Sequence, residues 1–324
     1  MNAIVEREKS LEALESRIVS LRERENADAS EDLRKLETSY EELLNEIFGN
    51  LTPWQRVNMA RHPKRPLSSE YIARFEQFDE LHGDRHFRDD HALVGGFAKL
   101  NGRRVVVLSQ QKGRDTKENI FRNFGMVSPE GYRKAKRLME LASRLGLPIV
   151  TFVDTSGADP GIGSEERAQS EAIAACLTTL SKVDVPVVAT IVGEGGSGGA
   201  LALALADYVI MPQHSVYSVA SPEGAAAILW GDAARAEEAA SHLKLTSDDL
   251  LGFGIIDEVV PEPLGGAHRN GEAFVASVIA AVDAALGRLE GISPERLRAD
   301  RYEKYRRIGS WASESQARLV SGLT

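Results

Sequence analysis

The sequence holds a single cysteine, Cys176. That excludes a disulfide framework and any cysteine-rich zinc site within the chain. No run of 18 or more apolar residues occurs, so no segment reads as a transmembrane helix. The first residues, Met-Asn-Ala-Ile-Val-Glu-Arg-Glu-Lys, place charges where a secretory leader would need an apolar stretch. A cytoplasmic location is the resulting expectation. Excess positive charge is missing too: 39 Lys and Arg against 48 Asp and Glu give −9. Nucleic-acid binding through bulk charge is therefore disfavoured. There is also no internal repeat and no low-complexity linker.

What is present is ordinary for a soluble globular protein. Of 324 residues, 43% are hydrophobic and 27% charged. At about 150 residues per domain, this length suggests two domains or one large α/β domain. The charge is uneven. Residues 1–50 carry 13 acids and 7 bases, which is −6 in that stretch alone. Between Lys112 and Arg137 stand eight bases and three acids, a local +5. An anionic ligand or partner fits there, as does a solvated basic helix face.

Two regions follow from the hydrophobic pattern. Residues 1–50 form a helical arm: Leu11, Leu14, Ile18 and Leu21, then Leu33, Leu36, Tyr40, Leu43 and Ile47, recur at helical spacing. A break is expected over 26–30, with Ser30 capping the second helix. Such an arm packs on a core or on a partner subunit. Residues 51–324 form the second region. Its start, 51–91, reads as irregular to helical, with prolines at 53, 63 and 66. Strands are expected at 92–100 and 103–109, joined by an Asn101-Gly102 hairpin turn. Further strands fall at 148–154, 185–192 and 216–219. Helices are expected at 129–145, opened by Ser128-Pro129, and at 165–182. Residues 200–207 begin a helix or a strand, and helices close the chain over 271–324. Near-continuously apolar strands alternating with helices imply a largely parallel, covered α/β sheet.

The strongest local signal is Gly193-Glu194-Gly195-Gly196-Ser197-Gly198-Gly199-Ala200. Glycine costs backbone entropy, and this density points to a ligand approaching bare backbone N–H groups. The loop, expected over 193–199, follows a buried strand and leads into an apolar helix. That context favours an anion or a developing oxyanion. No Lys-Ser or Lys-Thr follows, so it is not a phosphate-binding P-loop. It does contain Gly-x-Ser-x-Gly centred on Ser197, the pattern of a hydrolase nucleophile elbow. Asp207, Asp257, His214, His242 and His268 are available downstream to complete a triad. A second loop, Asp154-Thr155-Ser156-Gly157-Ala158-Asp159-Pro160-Gly161, also leaves the end of a buried strand, where ligands of open α/β sheets gather. Asp154 reads as an acceptor of backbone N–H bonds that organises this loop. With no paired carboxylates and no metal cluster, the site is expected to work through backbone N–H groups. The reactive base would then come from the substrate or a cofactor.

Taken together, the motifs carry a resemblance. They include Trp54-Gln55, Ala60-Arg61-His62-Pro63, Phe78-Asp79-Glu80-Leu81-His82-Gly83-Asp84-Arg85 and Gln111-Lys112-Gly113-Arg114. Further on come Arg122-Asn123-Phe124-Gly125-Met126, Pro129-Glu130-Gly131-Tyr132-Arg133-Lys134-Ala135 and Glu165-Glu166-Arg167. The last are the glycine loop, Ser221-Pro222-Glu223-Gly224 and Pro261-Glu262-Pro263-Leu264-Gly265-Gly266-Ala267-His268-Arg269. In this order they resemble the alpha subunits of the carboxyltransferase of bacterial-type acetyl-coenzyme A carboxylase. The resemblance implies a crotonase-like spiral of ββα units preceded by the helical arm. It implies transfer of carboxylate from carboxybiotin, borne on a separate carrier protein, to acetyl-coenzyme A, giving malonyl-coenzyme A for fatty acid synthesis. A beta subunit of related fold in an α2β2 assembly, the biotin carboxyl carrier protein and biotin carboxylase are the implied partners. Family beta subunits often carry a cysteine zinc ribbon, and its absence suits an alpha subunit with no metal.

By the same resemblance, the backbone N–H groups of Gly198 and Gly199 form the oxyanion hole for the biotin ureido oxygen. Gly157, Ala158, Gly195 and Gly196 are expected to line the substrate, and Lys112 and Arg114, on the loop after the 103–109 strand, are expected ligand contacts. The chain departs from the family where Ser156 replaces a proline and Asp159 a tyrosine. An altered preference, for a larger acyl-coenzyme A, is one expected consequence. Other readings remain. A stand-alone crotonase-like hydratase, isomerase or thioesterase would use Glu165, Glu166 or Glu194. A serine hydrolase would use Ser197, and an assembly subunit would use the arm.

Overall fold

The computed structural model describes residues 3–23 and 27–309. Helices α1 (Ala3–Arg22) and α2 (Ala27–Phe48) form the arm. Arg7 faces Glu46 and Arg22 faces Glu37, so the pair is antiparallel. Ser30 lies inside α2 rather than at its cap, because the helix already begins at Ala27. The apolar seam is used internally: Ile4, Leu11, Ile47 and Phe48 are buried together with Met59 of the body.

The arm's acids bind the body as well. Glu8, Glu12 and Glu15 share one face of α1 at helical spacing. Glu8 accepts from His62 and His268, Glu12 from Lys64, and Glu15 from Arg269. Of the two expected roles, packing on the core is the one the fold displays.

Short helices α3 (Pro53–Ala60) and α4 (Ser68–Ile72) lead into the sheet. Thr52 and Gln55 form a reciprocal capping box on α3, with Pro53 at its first position. The strands are β1 (Gln77–Glu80), β2 (Leu93–Leu100), β3 (Arg103–Gln110), β4 (Ile149–Thr155), β5 (Val187–Gly196), β6 (Tyr208–Pro212), β7 (Val216–Ser218) and β8 (Glu258–Val260). They run in the order β1-β2-β3-β4-β5-β6-β8, with β7 also on β5. The first two pairings are antiparallel and the rest parallel. The Asn101-Gly102 turn has positive φ at both residues, as a tight hairpin demands. Strand β1 escapes the sequence pattern, since its residues lie at an edge and are mostly exposed, with no alternation to betray them.

Helices cover both faces. On one lie α6 (Pro129–Leu145), α8 (Gln169–Lys182) and α9 (Ser197–Ala204). On the other lie α4 and α13 (Gly271–Leu289). The strands alternate accordingly: Val106 and Leu108 face Leu138 and Cys176, while Val105 and Val107 face Val278 and Val282. The helix expected over 165–182 is in fact two, α7 (Ile162–Glu166) and α8, broken at Ala168 with φ 66°. Ser128 is the N-cap of α6, but its hydroxyl lies 2.9 Å from both the Asp90 and Glu130 carboxylates and donates its one hydrogen to one of them instead of capping. The remaining helices are α5 (Thr116–Phe121), α10 (Pro222–Trp230), α11 (Ala236–Leu243), α12 (Ser247–Gly252) and α14 (Pro294–Arg306). The helices expected over 271–324 are α13 and α14 as far as Arg306, and 310–324 lie outside the described residues. Among the described residues no helix is long and apolar enough to cross a membrane.

Strand β5 is forked, and the fork positions the site. Its first half pairs with β6 through Val188–Thr190, and its end pairs with β7 through Glu194–Gly196. The strand therefore continues four residues past the expected stop at 192. The glycine segment is half strand and half helix start, with the change at Ser197.

Candidate active site

Chain direction changes between Gly196, the last residue of β5, and Ser197, the first of α9. Ser197 has φ 53°, a left-handed conformation that strains a non-glycine residue. The N-cap of α9 is Gly196, and no side chain caps the helix. The first-turn N–H groups of α9 thus have no side-chain acceptor, at the end where the helix dipole favours negative charge. Gly198 is half-buried and Gly199 buried.

The second glycine loop is wedged against this turn. Thr155 pairs in register with Gly195. A Cβ added at Gly196 would collide with the Ser156 carbonyl, and one at Gly199 would lie 2.5 Å from the Ala158 nitrogen. Both glycines are required for backbone to reach backbone. Gly157, Ala158, Gly195, Gly196, Gly198 and Gly199 are thereby brought to one place. Beside Ser197 and Gly198 opens a cavity of about 410 Å³, walled by Leu201, Tyr217, Val219, Phe253 and Ile308 among others.

Two side chains that sequence reasoning misses hold the turn from within. Gln110, fully buried, donates to the Gly199 carbonyl at 2.7 Å. The Tyr132 hydroxyl donates to the same carbonyl at 3.3 Å. Nothing local marks them, since Gln110 merely ends a strand and Tyr132 falls on the buried face of α6.

A charged cluster lies alongside. Asp154 accepts a backbone N–H as expected, but that of Glu194 on neighbouring β5, at 3.0 Å, rather than one within its own loop. The same oxygen accepts from Lys112 at 2.7 Å. Glu194 accepts from Arg61 through two nitrogens, at 2.6 and 2.9 Å, and Arg61 also reaches Glu223 on α10. Burial would raise the Glu194 pKa, but Lys112 and Arg61 outweigh it and hold the carboxyl below its ordinary range. Burial would likewise lower that of Lys112, yet Asp154 and Glu194 raise it. Arg114 lies farther off, donating to the carbonyls of Pro63 and Arg65 and pairing with Glu70.

The basic segment is mostly neutralised by acids from elsewhere in the chain. Arg133 meets Asp84, Lys134 meets Asp89, and Lys112 and Arg114 are paired as above. Three of the five hydrolase partners are also engaged. Asp207 is held by Arg301, Asp257 by Lys304 and His268 by Glu8. Burial pushes the His214 pKa down to about 4. Glu165 and Glu166 are exposed on α7.

Glu8, His62 and His268 come together closely enough to suggest a metal triad. Their arrangement opposes one. The Lys64 backbone N–H donates to His62 Nδ1, which leaves the proton on Nε2, facing Glu8. The two rings are stacked at 3.8 Å with planes 19° apart, so a single cation cannot lie in the plane of both.

Comparison with known proteins fits this geometry. Residues 4–309 match the family described as acetyl co-enzyme A carboxylase carboxyltransferase-like. The acetyl-coenzyme A carboxylase carboxyl transferase subunit alpha of Anoxybacillus flavithermus is 51% identical over 316 residues, covering 96% of this chain and 97% of its own. That of Sorangium cellulosum is 54% identical over 281 residues, covering 86% and 89%. Among solved structures, a Pseudomonas malonate decarboxylase hetero-tetramer in complex with coenzyme A superposes with TM-score 0.55 at 18% identity, covering 72% of this chain and 90% of its own. Transcarboxylase 12S gives 0.55 at 20% identity, covering 68% and 41%. These two share the α/β fold of this chain. Two glycine strand ends pressed together beneath an uncapped helix start therefore sit in a chain that belongs to the carboxyltransferase alpha subunits of acetyl-coenzyme A carboxylase.

Proposed function

We propose that this chain, with a beta subunit, transfers carboxylate from carboxybiotin on a carrier protein to acetyl-coenzyme A, forming malonyl-coenzyme A for fatty acid synthesis. The observation that carries the reading is the uncapped N-terminus of α9 at the surface of the turn. The N–H groups of Gly198 and Gly199 are its oxyanion donors, and Gly157, Ala158, Gly195 and Gly196 form the wall beneath. The fit to a biotin ureido group is chemical. Its planar ring matches an apolar cavity, and its carbonyl oxygen needs N–H donors fixed before charge develops. When bound, carboxybiotin supplies the carboxyl group and, at the ureido nitrogen, the base. The chain's part is to fix the donors, exclude water and hold negative charge on oxygen. Lys112 and Arg114 act here through the loops they tie rather than by touching the ligand, since protein acceptors already engage both.

Val219 and Phe253 line the cavity yet are 77% and 56% exposed. An apolar rim of this kind supports a site completed by the beta subunit. Biotin carboxylase would regenerate the donor in a cytoplasmic α2β2-based complex. Acetyl is the preferred acyl group despite Asp159. Its carboxylate accepts from the Ser164 hydroxyl and the Gly161 N–H, which ties it into its own loop.

The test is reconstitution. The chain alone should form no malonyl-coenzyme A from carboxylated carrier, and adding beta subunit should restore formation, with acetyl- preferred to propionyl-coenzyme A. Hydration of an enoyl-coenzyme A by the chain alone would overturn the reading.

A further inference from the structure

We propose that Lys112 is a positioning residue for carboxyl transfer: its ammonium clamps Asp154 and Glu194 together and so fixes the β5–α9 turn. The inference rests on the reading of the α9 N–H groups as the reacting donors.

The geometry is specific. One oxygen of Asp154, Oδ1, accepts both the Lys112 ammonium at 2.7 Å and the Glu194 backbone N–H at 3.0 Å. The second Glu194 oxygen lies 3.5 Å from the same ammonium. Lys112 thus stands between two carboxylates at the ends of adjacent parallel strands. Asp154 lies just before Ser156, whose carbonyl packs on Gly196, and Glu194 lies just before Gly196 itself. A shift of either carboxylate is therefore passed directly along the chain to the contact that sets the turn.

The surrounding charges define what the clamp balances. Arg61 and Arg65 come from the segment after α3, Tyr71 from α4 and Glu223 from α10. Arg61 is spent on Glu194 and Glu223, and Arg65 on Glu262, Ser215 and the Val192 carbonyl. Among the described residues no other cation is hydrogen-bonded to Asp154. Without Lys112, Asp154 and Glu194 would face each other across a buried gap, and like charges so placed resist joint ionisation. The turn would then open as pH rises and be partly restored as one carboxyl takes a proton.

The test uses the chain assembled with its beta subunit and carboxylated carrier. Lys112→Met should lower kcat by about 10²-fold at pH 8, the scale of a small misplacement of catalytic groups. The loss should shrink as pH is lowered, so the variant's pH profile should differ from that of the unmodified enzyme. Lys112→Met combined with Asp154→Asn should recover most of kcat and lose the new pH dependence, because the amide oxygen still accepts the Glu194 N–H while the surplus charge is gone. A rise in KM alone, or a double variant no better than the single one, would overturn the proposal. If Lys112→Met does not fold, Lys112→Gln, which removes the charge but keeps a polar side chain, should show the same pH-dependent loss of kcat, and a kcat equal to that of the unmodified enzyme in that variant would overturn the clamp. Gly199→Val separates the two levels. Full activity in that variant removes the reading of the donors, whereas its inactivity beside a pH-indifferent Lys112→Met removes only the clamp.

Discussion

Arg61 and His62 are neighbours in sequence that serve two different clusters of buried charge. His62 turns toward the arm and meets Glu8, as does His268. Arg61 turns toward the glycine turn and meets Glu194. In the arm cluster the carboxylate binds side chains carried by separate segments. In the turn cluster a carboxylate also binds the backbone N–H of the strand that ends in the site. The first arrangement joins elements, and its loss is felt as stability. The second sets the direction of a peptide chain, and its loss should be felt as rate.

The sharpest break of this comparison is at the turn itself. Gly199→Val in the assembled enzyme should cost about 10²- to 10³-fold in kcat, the range for a lost oxyanion donor, because its Cβ meets the Ala158 nitrogen. Steady-state carboxyl transfer measures it, and near-normal kcat would place the donors elsewhere. At the arm, Glu8→Ala strands two buried imidazole donors and should cost about 2–3 kcal/mol of stability, seen as a lower Tm, with kcat little changed.

A smaller effect is expected from pH. Burial lowers the His268 pKa below its usual value. Burial would raise that of Glu8, but the hydrogen bonds from His268 and His62 prevail and bring it to about 2. For both groups the unfolded chain binds more protons than the folded one at acid pH, so stability falls as pH drops. The histidine contribution is lost first, below about pH 6.5, and the Glu8 contribution below about 4.5. Thermal melts at pH 7 and pH 5 should show a drop that His268→Gln diminishes, since the titrating ring is gone. The least effect belongs to Ser197→Ala, which should change carboxyl transfer by no more than about threefold. Abolition would instead revive the nucleophile elbow.

Much of this is legible in the sequence. Apolar strands announce the parallel sheet, and glycine density announces the turn, because both are local patterns. The end of β5 is harder to place because glycine reads as loop, whereas residues 194–196 are held in strand by pairing with β7, some twenty residues on. The +5 of the basic segment misleads for a related reason. Its partners Glu70, Asp84, Asp89, Asp154 and Glu194 lie outside it, and charge counted within a window cannot see them. Gln110 and Tyr132 carry no signal because a carbonyl across the core, at Gly199, gives them their role.

The donors proposed for this site belong to the main chain, and that would bear on inhibition. Every residue other than proline supplies the same N–H, so an ordinary substitution at Gly198 or Gly199 cannot delete the donor that an inhibitor's oxygen would seek. Substitution can only add bulk, and at Gly199 bulk strikes the neighbouring loop. Resistance to a compound held by these donors would have to arise at the rim, at Val219 or Phe253, or in the partner subunit. A ligand that leans on the turn and ignores the rim would leave such escape little room.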